Sequence, residues 1–412
     1  MPASAYLAYA ALGVVAVPAL LGLWWVFATR KTDRSLIEAG PVRRLLRWYR
    51  ALWLRGAAQI AAWPHLIELA FGAHRDAMRP TGADPVWQQD KIRVTRVEGS
   101  RDGPVVLVVH SFVSKPWILD LLPDRSFVGA LAAAGFDTYL LDWGDFDRTD
   151  ATRDLSYYAS VLMRAEAAVL QHASAERLSL VGYCLGATLC LARLGARNHD
   201  HVDSAALVAV PGDFGVPSGI EQLMSHHMLK PAFLLDAASC VPAALVRESF
   251  HILRPQALRT VLAFVARRKD REFRRSYSAL SRWIWEHRPL PGALFFDLVD
   301  LFRTNALLEG RLEVAGEIVR LSDIDTRVGV FVADRDHIVP SGSSHSLASV
   351  AGMNAEVFNF ASGHVSMVSG GTAQKDMWPR LHGWIRSAAG TRRPASSRQA
   401  SGRTTSSQSR RA

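Results

Sequence analysis

Hydrophobic and polar positions change rhythm several times along this chain. The first regime is a 24-residue run at positions 5–28 with no charged side chain, with Tyr6 and Tyr9 near one end and Trp24, Trp25 and Phe27 near the other. At about 1.5 Å per residue such a helix crosses a hydrocarbon core of about 30 Å, and aromatic residues suit both interfaces. Residues 1–31 therefore read as an N-terminal transmembrane helix. A cleaved signal peptide would need a basic stretch before the run; here the basic residues Arg30, Lys31 and Arg34 follow it, which places the N-terminus outside and the rest in the cytoplasm. The next regime, 32–90, contains Arg, Trp and Leu mixed at helical spacing over 42–55. That pattern suits an anionic membrane surface, and equally a helix packed on the main domain with snorkelling arginines.

From about residue 91 the texture alternates between short apolar runs and longer amphipathic ones. Strands are expected at 91–97, on an edge, and at 104–109, 138–143, 177–182, 204–210, 328–332 and 355–360, with helices at 126–134 and 157–172. Apolar runs separated by helices imply a mostly parallel sheet covered on both faces. Between the two groups of strands, 216–312 is helical in pattern and rich in Phe, Trp and Arg, for example at 257–266 and 278–285. An insertion of this kind before the last strands is expected to form a cap over a site. The organisation is thus an α/β core at 91–215 and 313–387, a helical cap at 216–312, and a basic disordered tail at 388–412.

Chemistry enters at Leu178-Ser179-Leu180-Val181-Gly182-Tyr183-Cys184-Leu185-Gly186-Ala187-Thr188, where an apolar strand breaks at Gly-x-Cys-x-Gly and resumes as a helix. This is the context of a nucleophile elbow, whose middle residue is held in a strained conformation with glycine on both sides to let strand and helix approach. The chain has three cysteines, an odd number at no metal-like spacing, which argues against a disulfide framework or a zinc site and leaves Cys184 a free thiol. Cys190, within the following helix, reads as a core residue. At 412 residues and 49% hydrophobic content the chain can build a substantial core. Its net charge of +10 comes partly from Arg392, Arg393, Arg398, Arg403, Arg410 and Arg411 in the tail. No internal repeat, phosphate loop or dinucleotide fingerprint is present, so no cofactor is expected. The basic tail reads equally as a solvated segment without a partner or as one touching anionic surfaces or nucleic acid, with no specific nucleic acid expected.

A nucleophilic cysteine needs a base, and the base an orienting acid; in α/β-hydrolase order they follow as nucleophile, acid, histidine. Asp336 lies just after the strand ending near Val332, and His364 just after the strand ending at Phe360. Cys184, Asp336 and His364 are therefore expected at the ends of three strands lying side by side. Asp334 is the local competitor and reads as a solvated turn carboxylate, with His337 and His345 as surface residues. An oxyanion hole would combine the amide of Leu185, after the nucleophile, with that of Val113 or Phe112 on the loop His110-Ser111-Phe112-Val113-Ser114-Lys115. His110 is read as lining that loop.

These residues, with Val113-Ser114-Lys115-Pro116-Trp117, Asp142-Trp143-Gly144, Asn305-Ala306-Leu307 with Gly310, Asp336-His337-Ile338-Val339-Pro340 and Ser362-Gly363-His364, make residues 90–387 resemble a polyhydroxyalkanoate synthase. In length the chain resembles the short catalytic subunits of the two-subunit classes. The resemblance implies an α/β-hydrolase fold in which Cys184 is acylated, His364 is its base and Asp336 the third member. It implies (R)-3-hydroxyacyl-CoA as substrate, a polyester chain as product, a granule or membrane surface, and a second synthase subunit or homodimer as partner. Two positions depart from the family pattern: Ala187 stands where a second glycine is usual, and Val113-Ser114-Lys115 where Ile-Asn-Lys is usual. A membrane span is also untypical of the family. Dienelactone hydrolases share a Gly-Tyr-Cys-x-Gly box but are shorter and lack the Asp-Trp-Gly and the long cap. Two rival readings stand beside the synthase: a membrane-anchored thioesterase or esterase with the same triad, and a granule- or membrane-surface protein that has lost activity.

Overall fold

The computed structural model of this protein describes residues 85–196, 199–218, 231–252, 266–267 and 269–389. The expected membrane span, the basic stretch at 42–55 and the cap helix at 257–266 except its last residue lie outside the described residues, as does nearly all of the tail. Among the described residues, no helix is long and apolar enough to cross a membrane.

An eight-stranded sheet forms the centre. Its strands are β1 (Pro85–Gln89), β2 (Ile92–Arg96), β3 (Val105–Val109), β4 (Asp137–Asp142), β5 (Leu178–Tyr183), β6 (Val202–Val208), β7 (Arg327–Ala333) and β8 (Ala355–Phe360), in spatial order β1-β2-β4-β3-β5-β6-β7-β8. From β4 to β8 all neighbours are parallel, while β1 and β2 join antiparallel. Two expectations are corrected here. The strand around residues 91–97 is not an edge, because β1 pairs outside it. Nor do the three site-bearing strands lie side by side, because β6 separates β5 from β7.

Strand β3 shows why the sheet needs layers on both faces. Its five residues, Val105-Val106-Leu107-Val108-Val109, are all buried. Side chains alternate across a strand, and here Val105, Leu107 and Val109 enter one apolar cluster while Val106 and Val108 enter the other. Helices α2 (Leu155–Ala173) and α3 (Leu185–Ala196) supply the first cluster with Leu162, Val169, Leu189 and Leu191. Helix α1 (Phe127–Ala133) and a C-terminal helix supply the second with Phe127, Leu131, Leu381 and Trp384. The ends of the helices are chemically marked: Ser126 accepts from the Gly129 amide to cap α1, and Asp154 accepts from the Tyr157 amide to cap α2.

The inserted region contributes α4 (Ala243–Ile252), α5 (Arg271–Trp285) and α6 (Gly292–Thr304), and a two-residue ribbon pairs Cys240–Val241 with Leu290–Pro291. The inward face of α5 places Ala279, Trp283 and Ile284 in the same apolar cluster as Cys184 and Tyr183. Asn305 ends α6 at φ 51°, accepts from the Phe214 amide and donates to Asp213. Its place in Asn305-Ala306-Leu307 is thus explained as a clasp between the cap and the segment after β6. The C-terminal helix α7 (Met377–Ala389) runs into the first residues assigned to the tail.

Candidate active site

Cys184 sits between β5 and α3 at φ 54°, in the left-handed region that costs a non-glycine residue free energy and is tolerated where the surroundings over-determine it. Its amide donates to Val208 on β6, and its carbonyl accepts from Ala187 and Thr188 in the first turn of α3. The flanking glycines are required by contact. A Cβ on Gly182 would lie 2.4 Å from Ala187 Cα, and one on Gly186 would lie 2.3 Å from the Val109 carbonyl oxygen. Ala187 itself is buried and would meet that Gly182 Cβ with its own at 2.9 Å, so an alanine fits at 187 because residue 182 has no side chain.

Asp336 follows β7. Its Oδ1 accepts from the amides of Ile338 (2.8 Å) and Val339 (2.9 Å), and its Oδ2 lies 2.6 Å from His364 Nδ1. Those two amides account for the Asp336-His337-Ile338-Val339 run, since they aim the carboxylate at the ring. Both side chains are almost wholly buried. Asp334 and His337 are exposed, and His345 contacts Asn359 rather than the site.

His364 follows β8 and lies against the Tyr183 ring at 5.2 Å between centroids. Burial alone would push the imidazole toward neutrality, but the Asp336 carboxylate, hydrogen-bonded to Nδ1, and the neighbouring Cys184 sulfur raise it to about 10. With Nδ1 turned to Asp336, Nε2 is the atom left for the sulfur. The structure therefore brings Cys184, His364 and Asp336 into one chain of contacts across β5, β7 and β8. The other cysteines are elsewhere: Cys190 is buried in the core with its thiol pushed well up by burial, and Cys240 is buried beside Asp147 with its thiol also raised, first by burial.

Leu185 opens α3, so its amide has no acceptor within the helix. Val113 is half-buried on the loop that abuts the elbow through Gly186. His110 lies inside that loop, fully buried, with Nε2 2.5 Å from the Ser114 carbonyl oxygen. Burial first, then the charge of Arg288, pushes its pKa down to about 3, so it is a neutral strut rather than a base. The Asp142-Trp143-Gly144 run serves the same loop. Trp143 is buried and donates from Nε1 to the His110 carbonyl at 2.8 Å, Asp142 accepts from the Gly144 amide, and Gly144 holds φ 70° where a Cβ would strike Lys91.

Two contributors escape a reading by sequence motif. Trp283, on α5, donates from Nε1 to the Lys115 carbonyl at 3.1 Å, and Arg288, 3% exposed, holds Asp142 at 2.6 Å. The aromatic and basic enrichment of the cap was the only available signal. No cluster of three or more His, Cys, Asp or Glu suited to a metal occurs among the described residues.

A family model described as alpha/beta hydrolase fold matches residues 104–238. The chain is 25% identical over 363 residues to the poly(3-hydroxyalkanoate) polymerase subunit PhaC of Haloferax mediterranei, covering 85% of this chain and 73% of that protein. It is 27% identical over 318 residues to the same-named subunit of Allochromatium vinosum, covering 74% of this chain and 89% of that one. Among solved structures it is similar to a monoacylglycerol lipase of Paleococcus ferrophilus, at 14% identity and a TM-score of 0.45, over 72% of this chain and 99% of that one. The chain is an α/β-hydrolase-fold protein related in sequence to poly(3-hydroxyalkanoate) synthases.

Proposed function

We propose that this protein is a polyhydroxyalkanoate synthase-like acyltransferase that moves (R)-3-hydroxyacyl groups from coenzyme A onto Cys184 and then to the hydroxyl end of a polyester. The observation that carries the reading is the buried contact chain from Asp336 through His364 to the elbow cysteine, in a chain whose relatives carry the polymerase name. With Nδ1 held by Asp336, His364 is placed to take the proton of the Cys184 thiol as the sulfur attacks. Attack on the thioester carbonyl forms the acyl-Cys184 bond and breaks the carbon–sulfur bond to coenzyme A, whose sulfur takes the proton held on His364. In the second half, His364 takes the proton of the incoming hydroxyl as its oxygen displaces the Cys184 sulfur. Exchange of one thioester for another is nearly balanced in energy, so the site need only stabilise the oxyanion and exclude water. Leu185 and Val113 are the amides proposed for that oxyanion, and the apolar face of α5 supports a cap that keeps water from the intermediate.

The deciding measurement follows coenzyme A release from 3-hydroxybutyryl-CoA and identifies the product. Polymer, with acyl-Cys184 adducts carrying more than one hydroxyacyl unit, is the expected result. Stoichiometric free 3-hydroxyacid with single-unit adducts, also with a partner subunit or in the homodimer, would leave the thioesterase reading in its place. No coenzyme A release at all would leave a granule- or membrane-surface protein.

We also propose that residues 1–31 anchor the protein in a membrane with the catalytic part in the cytoplasm, at a membrane or granule surface. The support is the uncharged run at 5–28. The full chain is then expected to stay in the pellet after alkaline carbonate extraction, and a chain lacking residues 1–31 to be released. Release of the intact chain would remove the anchor.

A further inference from the structure

We propose that Arg288 and Trp283 are positioning residues for the loop that carries the Val113 amide, so that the acyl-transfer site is complete only while the cap is docked. The loop's ties divide into two sets. From within the core, His110 Nε2 reaches the Ser114 carbonyl and Trp143 Nε1 reaches the His110 carbonyl. From the cap, Trp283 Nε1 donates to the Lys115 carbonyl at 3.1 Å. A charged chain reinforces it: Lys115 pairs with Asp145, Asp145 lies 3.2 Å from Arg288 Nε, and Arg288 Nη2 donates to Asp142 at 2.6 Å.

Arg288 is a guanidinium buried almost completely between two carboxylates, a placement that is costly unless the charge is paired. Burial would raise the pKa of Asp142, yet Arg288, with smaller help from the Gly144 amide and from Arg93 of β2 at 3.2 Å, holds the carboxyl below its ordinary value. The pair thus fixes the turn after β4 to the segment between α5 and α6. That turn carries Trp143, whose indole holds the start of the loop, while Trp283 holds its end. Both ends of the segment 110–115 therefore depend on the cap, one directly and one through Asp142. An oxyanion donor displaced by about 1 Å can cost on the order of 100-fold in rate.

The inference rests on Cys184 as nucleophile but not on the identity of the acyl donor, so its test uses a generic ester. Acylation by p-nitrophenyl butyrate forms a thioester at Cys184, breaks the ester carbon–oxygen bond, releases p-nitrophenolate and passes through an oxyanion. Alkylation by iodoacetamide displaces iodide at a saturated carbon and needs no oxyanion donor. Both rates are to be measured on the full chain, with the modified residue mapped by mass spectrometry, for the unsubstituted protein, Trp283→Phe, Arg288→Gln and Arg288→Lys. Trp283→Phe and Arg288→Gln should slow the p-nitrophenolate burst about 10- to 100-fold with alkylation unchanged, and Arg288→Lys should recover part of the burst. Trp283→Phe keeps the ring and removes only the N–H, so it decides the matter if Arg288→Gln fails to fold. An unchanged burst, or a burst and an alkylation rate that fall together, overturns the positioning role. Absence of both reactions at Cys184 in the unsubstituted protein overturns the nucleophile and this inference with it.

Discussion

Replacing Cys184 by alanine is expected to reduce acyl transfer from 3-hydroxybutyryl-CoA by at least about 10⁴-fold, as removal of a covalent nucleophile does, while Cys190→Ala and Cys240→Ala retain it. The three thiols differ in what surrounds them. Cys184 is the one held at φ 54° by the turn between β5 and α3, with its sulfur against His364. Cys190 is fully buried on α3, and burial disfavours its thiolate. Cys240 donates to the Asp147 carbonyl at 3.4 Å from the short ribbon of the inserted region, where burial and the neighbouring carboxylates Asp236, Asp150 and Asp147 disfavour its thiolate. A companion result is expected at the histidine. With the sulfur gone, burial still opposes the imidazolium while Asp336 alone supports it, so the ring in Cys184→Ala should titrate at lower pH by NMR than in the unsubstituted protein. Loss of turnover in a folded Cys190→Ala protein, with Cys184→Ala spared, would assign the nucleophile elsewhere.

What could be read in advance follows from how local each signal is. The elbow is legible because its glycines, strand and helix are contiguous, and the structure shows each glycine answering a named contact at Ala187 or Val109. Asp336 and His364 are legible because each follows an apolar strand closely, the buried β7 and the edge strand β8. The order of those strands is not, since nothing in the sequence states that β6 pairs with both β5 and β7. Strand β1 escaped because Pro85-Val86-Trp87-Gln88-Gln89 alternates weakly and pairs only along one edge. Helix α7 was absorbed into the end of the core because Trp378, Leu381, Trp384 and Ile385 make a short apolar stripe next to a polar tail. Least legible were Trp283 and Arg288, whose partners lie more than a hundred residues away.

Gly186→Ala is expected to have the second large effect, through the oxyanion loop rather than the nucleophile. The added Cβ would sit 2.3 Å from the Val109 carbonyl oxygen and 2.7 Å from that of His110, and both obstacles are backbone. Neither can turn aside as a side chain would, so either the start of α3 lifts off the sheet or the loop at 110–115 moves. Moving the loop displaces the Val113 amide, and lifting α3 displaces that of Leu185. Loss of one oxyanion donor costs on the order of 10²- to 10³-fold in turnover, and overpacking a buried contact costs about 1–3 kcal/mol of stability. The exposed Gly383 of α7 supplies the contrast, because a Cβ there meets nothing within 4 Å. Gly383→Ala should leave acylation unchanged and stabilise the fold by about 0.5–1 kcal/mol, the helix-interior difference between the two residues. The p-nitrophenolate burst and the urea midpoint of both variants test the pair together. A Gly186→Ala protein with an undiminished burst would show that this loop does not supply the oxyanion contact.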